Sequence, residues 1–211
     1  MVERFVFSDR SNFEEADLTC LDSGYYHEMM GGNGNFAGIL VSEEDKEHCL
    51  AMLADRITAD YKNILGPDDA LVVAPLLNGA MFFANDIMTR LYLPTELDTL
   101  KVETYGGGTR STGEAKIHKD FSRSVKGRHV LLVEDIVDSG ATLDFIINGL
   151  LKHKLPASVR VVSFLDKVAA RKVPIPVDYV GFEIPEMFVV GYGLDYKHRL
   201  RNLPFVGVYK G

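Results

Sequence analysis

HVLLVEDIVDSGATL, residues 129–143, drives an apolar run straight into three carboxylates, Glu134, Asp135 and Asp138, and then into small hydroxyl and glycine residues. An apolar run of strand length without polar alternation belongs to a parallel strand covered on both faces. Consecutive strand residues point to opposite faces, so Glu134 and Asp135 can serve one site only where the strand is ending. Asp138, Ser139, Gly140, Ala141 and Thr142 then turn into a helix. Backbone N–H groups converge at the positive end of that helix, Gly140 permits close approach, and the Ser139 and Thr142 hydroxyls add donors, which makes a phosphate cradle. A phosphate beside carboxylates is repelled unless something intervenes. Ribose hydroxyls, which donate to carboxylates, or a divalent ion with oxygen ligands would resolve the conflict. The stretch therefore predicts a sugar phosphate, with its phosphate on Asp138–Thr142 and its hydroxyls toward Glu134 and Asp135.

Outward from this stretch the chain alternates strands and helices. FAGILV (36–41) reads as a short strand, and Ser42 with Asp45 forms a capping box for a helix running to about Leu65. Cys49, Met52, Leu53, Arg56 and Ile57 recur at helical spacing on its core face, and GPDD ends it. ALVVAPLL (70–77) is a second doubly covered strand, broken at Asn78-Gly79, and AMFFANDIMTRL (80–91) is the next helix. ELDTLKVETY (96–105) alternates as one strand. The glycine-rich polar segment after it is expected as a mobile loop over 104–128, since loops of that length in compact domains are usually functional or disordered. After the opening stretch come a helix from about Ala141 to His153, the strand SVRVVSFLD, and short strands around DYVGFEI and FVVGY. This β-α-β order predicts an α/β domain over 1–211, with residues 1–35 as an N-terminal extension. Its mostly parallel sheet carries helices on both faces, and ligands bind at the carboxyl ends of the strands.

Composition narrows the partners. Of 211 residues 46% are hydrophobic and 25% charged, enough for one sizeable core. The net charge of -7 disfavours nucleic acid, and the only tight basic cluster, Lys152, His153 and Lys154, reads as the solvated end of a helix. No apolar run approaches the ~18 residues of a membrane span, so the membrane is not an expected partner. Two cysteines, Cys20 and Cys49, are too few for a disulfide framework, and MVERFVFSDR has no leader pattern, which together predict a cytoplasmic protein. GTRSTGEA (108–115) has P-loop glycine spacing but puts Glu114 where lysine is required. Gly32, Gly34 and Ala37 follow no apolar strand, so they make no dinucleotide fingerprint. His118, His129 and His198 fit no metal-ligand spacing.

Apolar strand, two acids, then D-[ST]-G-x-T: this run resembles the phosphoribosyl pyrophosphate (PRPP) binding motif of type I phosphoribosyltransferases. An ordinary capped turn would account for Asp138 or Ser139 but not for Glu134 and Asp135 as well. LLNGAMFF, ETYGGGTRSTGEAKI, VEDIVDSGAT, FLDK and FVVGYGLDY, in that order, are similar to the hypoxanthine-guanine members, and FEEADLTCL is more weakly similar to their longer eukaryotic form. The resemblance implies the type I fold, a mostly parallel sheet flanked by helices with a small hood and a mobile glycine-rich loop. It also implies a Mg2+-dependent, reversible reaction of PRPP with hypoxanthine or guanine, giving IMP or GMP and pyrophosphate, in a homodimer or homotetramer.

Residue by residue, the resemblance makes Asp138 the general base at purine N7 and Glu134 and Asp135 the ribose-binding, metal-side pair. Lys167 becomes the donor to the purine 6-oxo group, Phe188 the stacking aromatic, and the Val189 backbone the reader of the purine 2-position. Asp195 falls beside the purine as a metal-binding aspartate, completing a metal set of Glu134, Asp135 and Asp195. Asn78, Gly79 and Arg201 fall on the pyrophosphate side, and Thr104 and Tyr105 at the head of the mobile loop. The residue types suit these roles. An ammonium only donates, so Lys167 favours an oxo group over adenine's amino group, and a phenyl face suits a flat heterocycle.

Taken singly, the same residues have plainer readings: Phe188 as core, Lys167 as a solvated strand end, Asp195 as a turn residue, Arg201 as a surface cation. The sequence leaves Arg199 and Arg201 as alternatives for the pyrophosphate contact. One departure from many relatives is Asn78, where they carry lysine before the glycine, and weaker pyrophosphate or PRPP binding is the expected result. A non-catalytic paralogue that keeps the pocket as a nucleotide sensor is the alternative function, and the presence of Asp138 argues against it.

Overall fold

Two apolar strands decide the layering. The computed structural model describes residues 5–6, 36–104 and 115–210. In β3 (Leu71–Pro75) and β7 (His129–Val137), successive side chains leave on opposite faces and each face has its own core. Leu71, Val73, Leu131 and Val133 pack with Leu50, Leu53 and Ile57 of α1 (Glu43–Lys62) and with Phe83 and Ile87 of α2 (Met81–Met88). Val72, Ala74, Val130 and Leu132 pack on the other side with Leu143, Ile146 and Leu151. The unbroken apolar runs arise because these strands lie between two cores.

The central sheet has the order β1-β9-β8-β7-β3-β4, with β1 (Phe5–Val6), β8 (Ser158–Asp166), β9 (Tyr179–Glu183) and β4 (Thr95–Leu97), and every neighbouring pair is parallel. Its carboxyl ends therefore share one edge, as the β-α-β order predicts. Of the expected extension 1–35 only β1 (Phe5–Val6) is among the described residues, and it adds an edge strand beside β9. FEEADLTCL, Gly32 and Gly34 lie outside them. FAGILV does form a strand, β2 (Phe36–Val41), but in a separate antiparallel hood of order β10-β11-β2, with β10 (Val189–Val190) and β11 (Val206–Tyr209). α1 starts as expected, with the Ser42–Asp45 capping box in place, and ends at Lys62.

Three expectations need correction. ELDTLKVETY is two strands, because Asp98 interrupts it: β4 belongs to the central sheet and β5 (Lys101–Thr104) to a hairpin with β6 (Ala115–Lys119). The Asp98 carboxylate takes the Lys119 ammonium at 2.9 Å and the N–H groups of Thr99 and Ser122 at 2.8 and 2.6 Å, interactions that hold it below the usual carboxylate range against the upward push of burial. The expected loop over 104–128 accordingly contains β6 and a packed return with Val125 buried. Its head, Tyr105, and most of GTRSTGEA lie outside the described residues. Finally, the helix after the opening stretch starts as α3 (Ala141–Asp144), widens to a π-helical stretch over Phe145–Leu151, and closes as α4 (Lys152–Lys154).

Candidate active site

β7 does not end at its carboxylates. It runs on to Val137 beside β8, through Glu134↔Ser163 and Ile136↔Leu165, so the expectation of a strand ending at Glu134 and Asp135 is corrected. β3, on the other flank, pairs only as far as Pro75↔Val133. The strand thus ends on one side alone, and the vacated flank is filled by the turn after β3, which contains the cis peptide Leu77–Asn78. Asn78 is exposed and Gly79 buried. A β-carbon on Gly79 would lie 1.6 Å from Asp135 Oδ2, so the turn rests its bare backbone against that carboxylate. Burial is the largest influence on both acids. It lifts Glu134 well above the usual carboxylate range, with Asp135 adding repulsion, and lifts Asp135 to about 6. The Ile136 N–H, 2.9 Å from Asp135 Oδ1, and the Arg201 charge act in the opposite direction, while Asp195 adds to the rise.

Past Val137 the chain turns, as expected, into a helix start. Gly140 has φ +83°, and a β-carbon there would meet the Val173 carbonyl at 2.7 Å. Lys172 and Val173 both donate to the Ser139 carbonyl at 3.0 Å and hold the loop from behind. The first intrahelical bond runs from Asp144 N–H to the Gly140 carbonyl at 3.0 Å, so the N–H groups of Gly140, Ala141, Thr142 and Leu143 precede the helical ladder and lie at its positive end.

At the end of β8, Lys167 is tied to β7 by its N–H to the Val137 carbonyl at 2.9 Å. Its ammonium lies 3.5 Å from Asp138 Oδ2, with the Lys167 side chain 11% and that of Asp138 59% exposed. A fixed donor and an open acceptor are thereby set side by side above the cradle. Phe188 is 49% exposed, with its ring edge-on to Tyr196 and Tyr209 at centroid distances of 6.0 and 6.2 Å. Tyr209 N–H donates to the Phe188 carbonyl at 2.9 Å, which makes Val189 and Val208 a non-hydrogen-bonded pair. The N–H and C=O of Val189 consequently point off the free edge of the hood.

Asp195 and Arg201 form an ion pair at 2.6 Å, and Arg201 Nη1 also reaches the Gly193 carbonyl at 2.5 Å. Arg199 is exposed, so of the two arginines Arg201 faces the carboxylates. Glu134, Asp135 and Asp195 do not close into a cage: among the described residues no group of three or more His, Cys, Asp or Glu side chains is placed to hold a metal ion. Asp135 and Asp195, oxygen donors within each other's field, would suit a hard divalent cation such as Mg2+. Thr104 pairs with Ala115 at the hairpin head.

Sequence reasoning missed three supports: the Asp98–Lys119 clamp at the hairpin base, the Asp166–Arg171 ion pair behind the cradle, and Tyr192–Gly193 behind Gly79. Only the glycine of the last carried a signal.

A family model described as the phosphoribosyl transferase domain matches residues 45–197. The chain is 41% identical over 172 residues to the hypoxanthine-guanine phosphoribosyltransferase of Bacillus subtilis (strain 168), covering 82% of this chain and 92% of that protein. It is 43% identical over 189 residues, 88% of its length, to the bifunctional protein TilS/HprT of Listeria innocua, of which it spans only 28%. Among solved structures, a hypoxanthine phosphoribosyltransferase from Staphylococcus aureus matches with a TM-score of 0.77 at 39% identity, covering 83% of this chain and 92% of that one.

Proposed function

We propose, for a chain that belongs to the hypoxanthine-guanine phosphoribosyltransferase family, a reversible transfer of the 5-phosphoribosyl group from PRPP to hypoxanthine or guanine, giving IMP or GMP and pyrophosphate. The observation that carries this reading is the Lys167–Asp138 pair at 3.5 Å. A 6-oxopurine presents its 6-oxo oxygen and N7 as neighbours on one edge, and the pair matches them with a donor and an acceptor. Adenine would turn its amino group toward the Lys167 ammonium, two donors facing each other, and is rejected.

With the purine against Phe188 and its 2-position toward the outward N–H and C=O of Val189, Asp138 takes the N7 proton as the glycosidic bond forms. Residues 138–142 hold the 5′-phosphate, and Glu134 and Asp135 accept from the ribose hydroxyls. Arg201 and the backbone at Asn78-Gly79 receive the leaving pyrophosphate. Mg2+, held by Asp135 and Asp195 together with substrate oxygens, would supply the remaining charge neutralisation. The family resemblance assigns the loop headed by Thr104 and Tyr105 the task of keeping water from the reacting ribose. The low cysteine count and the lack, among the described residues, of a helix able to cross a membrane are consistent with a cytoplasmic site for this chemistry. Family resemblance gives a homodimer or homotetramer.

The test is a spectrophotometric assay with Mg2+, PRPP and, separately, hypoxanthine, guanine, xanthine and adenine. Turnover with hypoxanthine and guanine and none with adenine is expected. Adenine turnover would overturn the assignment of Lys167. No turnover with any base, alongside a melting temperature raised by PRPP or GMP, would replace the enzyme with the nucleotide sensor.

A further inference from the structure

We propose that Tyr192 is a positioning residue for the pyrophosphate side of the site, acting through its bond to Asp86, an inference that rests on the function given above. Gly191 and Leu194 exchange both backbone hydrogen bonds at 3.0 Å, closing a two-residue turn whose central positions are Tyr192 at φ +47° and Gly193 at φ +97°. Such a turn needs positive φ at both positions, an uncommon conformation for a bulky residue. The Tyr192 N–H donates to the Leu203 carbonyl at 2.9 Å, and three side-chain contacts hold the tyrosine there. Its ring, 4% exposed, meets Phe164 edge-on at 4.8 Å. Lys46 Nζ lies 5.0 Å from the ring centroid, and the hydroxyl donates to Asp86 Oδ2 at 2.8 Å.

Asp86 belongs to α2, the helix that starts directly after the Asn78-Gly79 turn. The hydroxyl bond therefore joins the hood to the element that carries the pyrophosphate turn. The backbones meet at that joint: a β-carbon on Gly193 would lie 2.1 Å from the Gly79 carbonyl oxygen. Gly193 also grips Arg201 twice, through its N–H to the Arg201 carbonyl at 2.9 Å and its carbonyl to the Arg201 guanidinium at 2.5 Å. Releasing Tyr192 would let Gly79, Arg201 and Asp195 drift relative to Asp135. The base-binding side has separate supports, Tyr196 and Tyr209 under Phe188 and the Val137 carbonyl at Lys167. The two sides should thus respond differently to losing one hydroxyl.

The experiment compares wild type, Tyr192→Phe, Asp86→Leu, Asp86→Asn and the Tyr192→Phe/Asp86→Leu double variant. KM values for PRPP and hypoxanthine are read beside calorimetric affinities for inorganic pyrophosphate with Mg2+ and for GMP. Tyr192→Phe is expected to raise KM for PRPP and weaken pyrophosphate about tenfold, the scale of one lost hydrogen bond. KM for hypoxanthine should stay within about twofold and kcat within about threefold on the same scale. The double variant should be no worse than either single one, and Asp86→Asn, which keeps an acceptor, should stay close to wild type. Equal shifts for both substrates, no shift for either, or additive single effects would each overturn the proposal. A wild-type protein that transfers to no base would refute the proposed function alone, because the ratio of pyrophosphate to GMP affinity still reads the strut. Wild type that binds neither ligand would overturn both.

Discussion

Replacing Gly79 by alanine tests the construction of the site at its tightest point. The new methyl carbon would lie 1.6 Å from Asp135 Oδ2 and 2.5 Å from its Cγ. Ordinary contact between such atoms begins near ~3.5 Å, so turn and carboxylate must separate by roughly 2 Å. The φ of Gly79 lies outside the left-handed region, which makes the cost one of contact rather than of backbone conformation. Overpacking of this kind costs about 1–3 kcal/mol, or roughly 2–12 °C of melting temperature for a domain of this size. Misplacement of catalytic groups by ~1 Å can cost about 10^2 in rate, so kcat/KM for PRPP should fall by at least about that factor. Steady-state kinetics with hypoxanthine and differential scanning calorimetry read the two effects. A second substitution separates them, since Asp135→Ala removes the three atoms nearest the methyl, all within 3.2 Å of it. In the Gly79→Ala/Asp135→Ala protein the melting temperature should recover while turnover stays low. Wild-type kinetics and wild-type melting for Gly79→Ala alone would refute the contact and the placement of Asp135 that follows from it.

Asp138→Asn should lower kcat by about 10^2 or more with PRPP affinity largely kept, read by single-turnover kinetics and calorimetry, and near-normal turnover would remove Asp138 from the base role. Asp135, raised on folding from 3.8 to about 6, binds its proton more tightly in the folded chain, so its contribution to stability is largest at low pH and is lost as pH rises through that interval. Asp135→Asn should accordingly raise the melting temperature of the ion-free protein at pH 7 and flatten its decline between about pH 4 and 6 while impairing catalysis; a lower melting point at pH 7 would contradict this. Asn78→Lys should tighten PRPP by restoring a cation beside the pyrophosphate, and unchanged PRPP affinity would sink that reading.

How much of the fold could be read depended on whether a pattern reported burial or pairing. The runs at 71–74 and 130–133 are apolar on both faces because both faces are covered, and the sequence carries that directly. The Ser42–Asp45 box fixes a helix start with groups three residues apart. The alternation over 96–105, by contrast, continues through a change of sheet. Alternation records which side chains face solvent, and the groups that end β4 at Asp98, Lys119 and the Ser122 N–H, come from more than twenty residues further along the chain. The distant partners of a short polar side chain leave no periodicity in its own neighbourhood.

The same distinction divides the site. The turn over 138–142 was legible because its backbone donors come from consecutive residues, and the Lys167–Asp138 pair needed only adjacent strands to be placed. The side proposed for pyrophosphate has no such local grammar: it is assembled from Gly79, Asp135, Gly193 and Arg201, whose contacts cross between the central sheet and the hood. In sequence Gly79 reads as the break after a strand, and Gly193 carries no reading of its own. In the fold each marks a place where a neighbour occupies the volume of a β-carbon, the Asp135 carboxylate at Gly79 and the Gly79 carbonyl at Gly193. This ranks the two residues of the turn. Asn78 is exposed and contributes a side chain, so exchanging it alters affinity while the turn stands. Gly79 contributes the absence of one, and any side chain there must displace the Asp135 carboxylate, to which the proposed function gives the ribose and the metal.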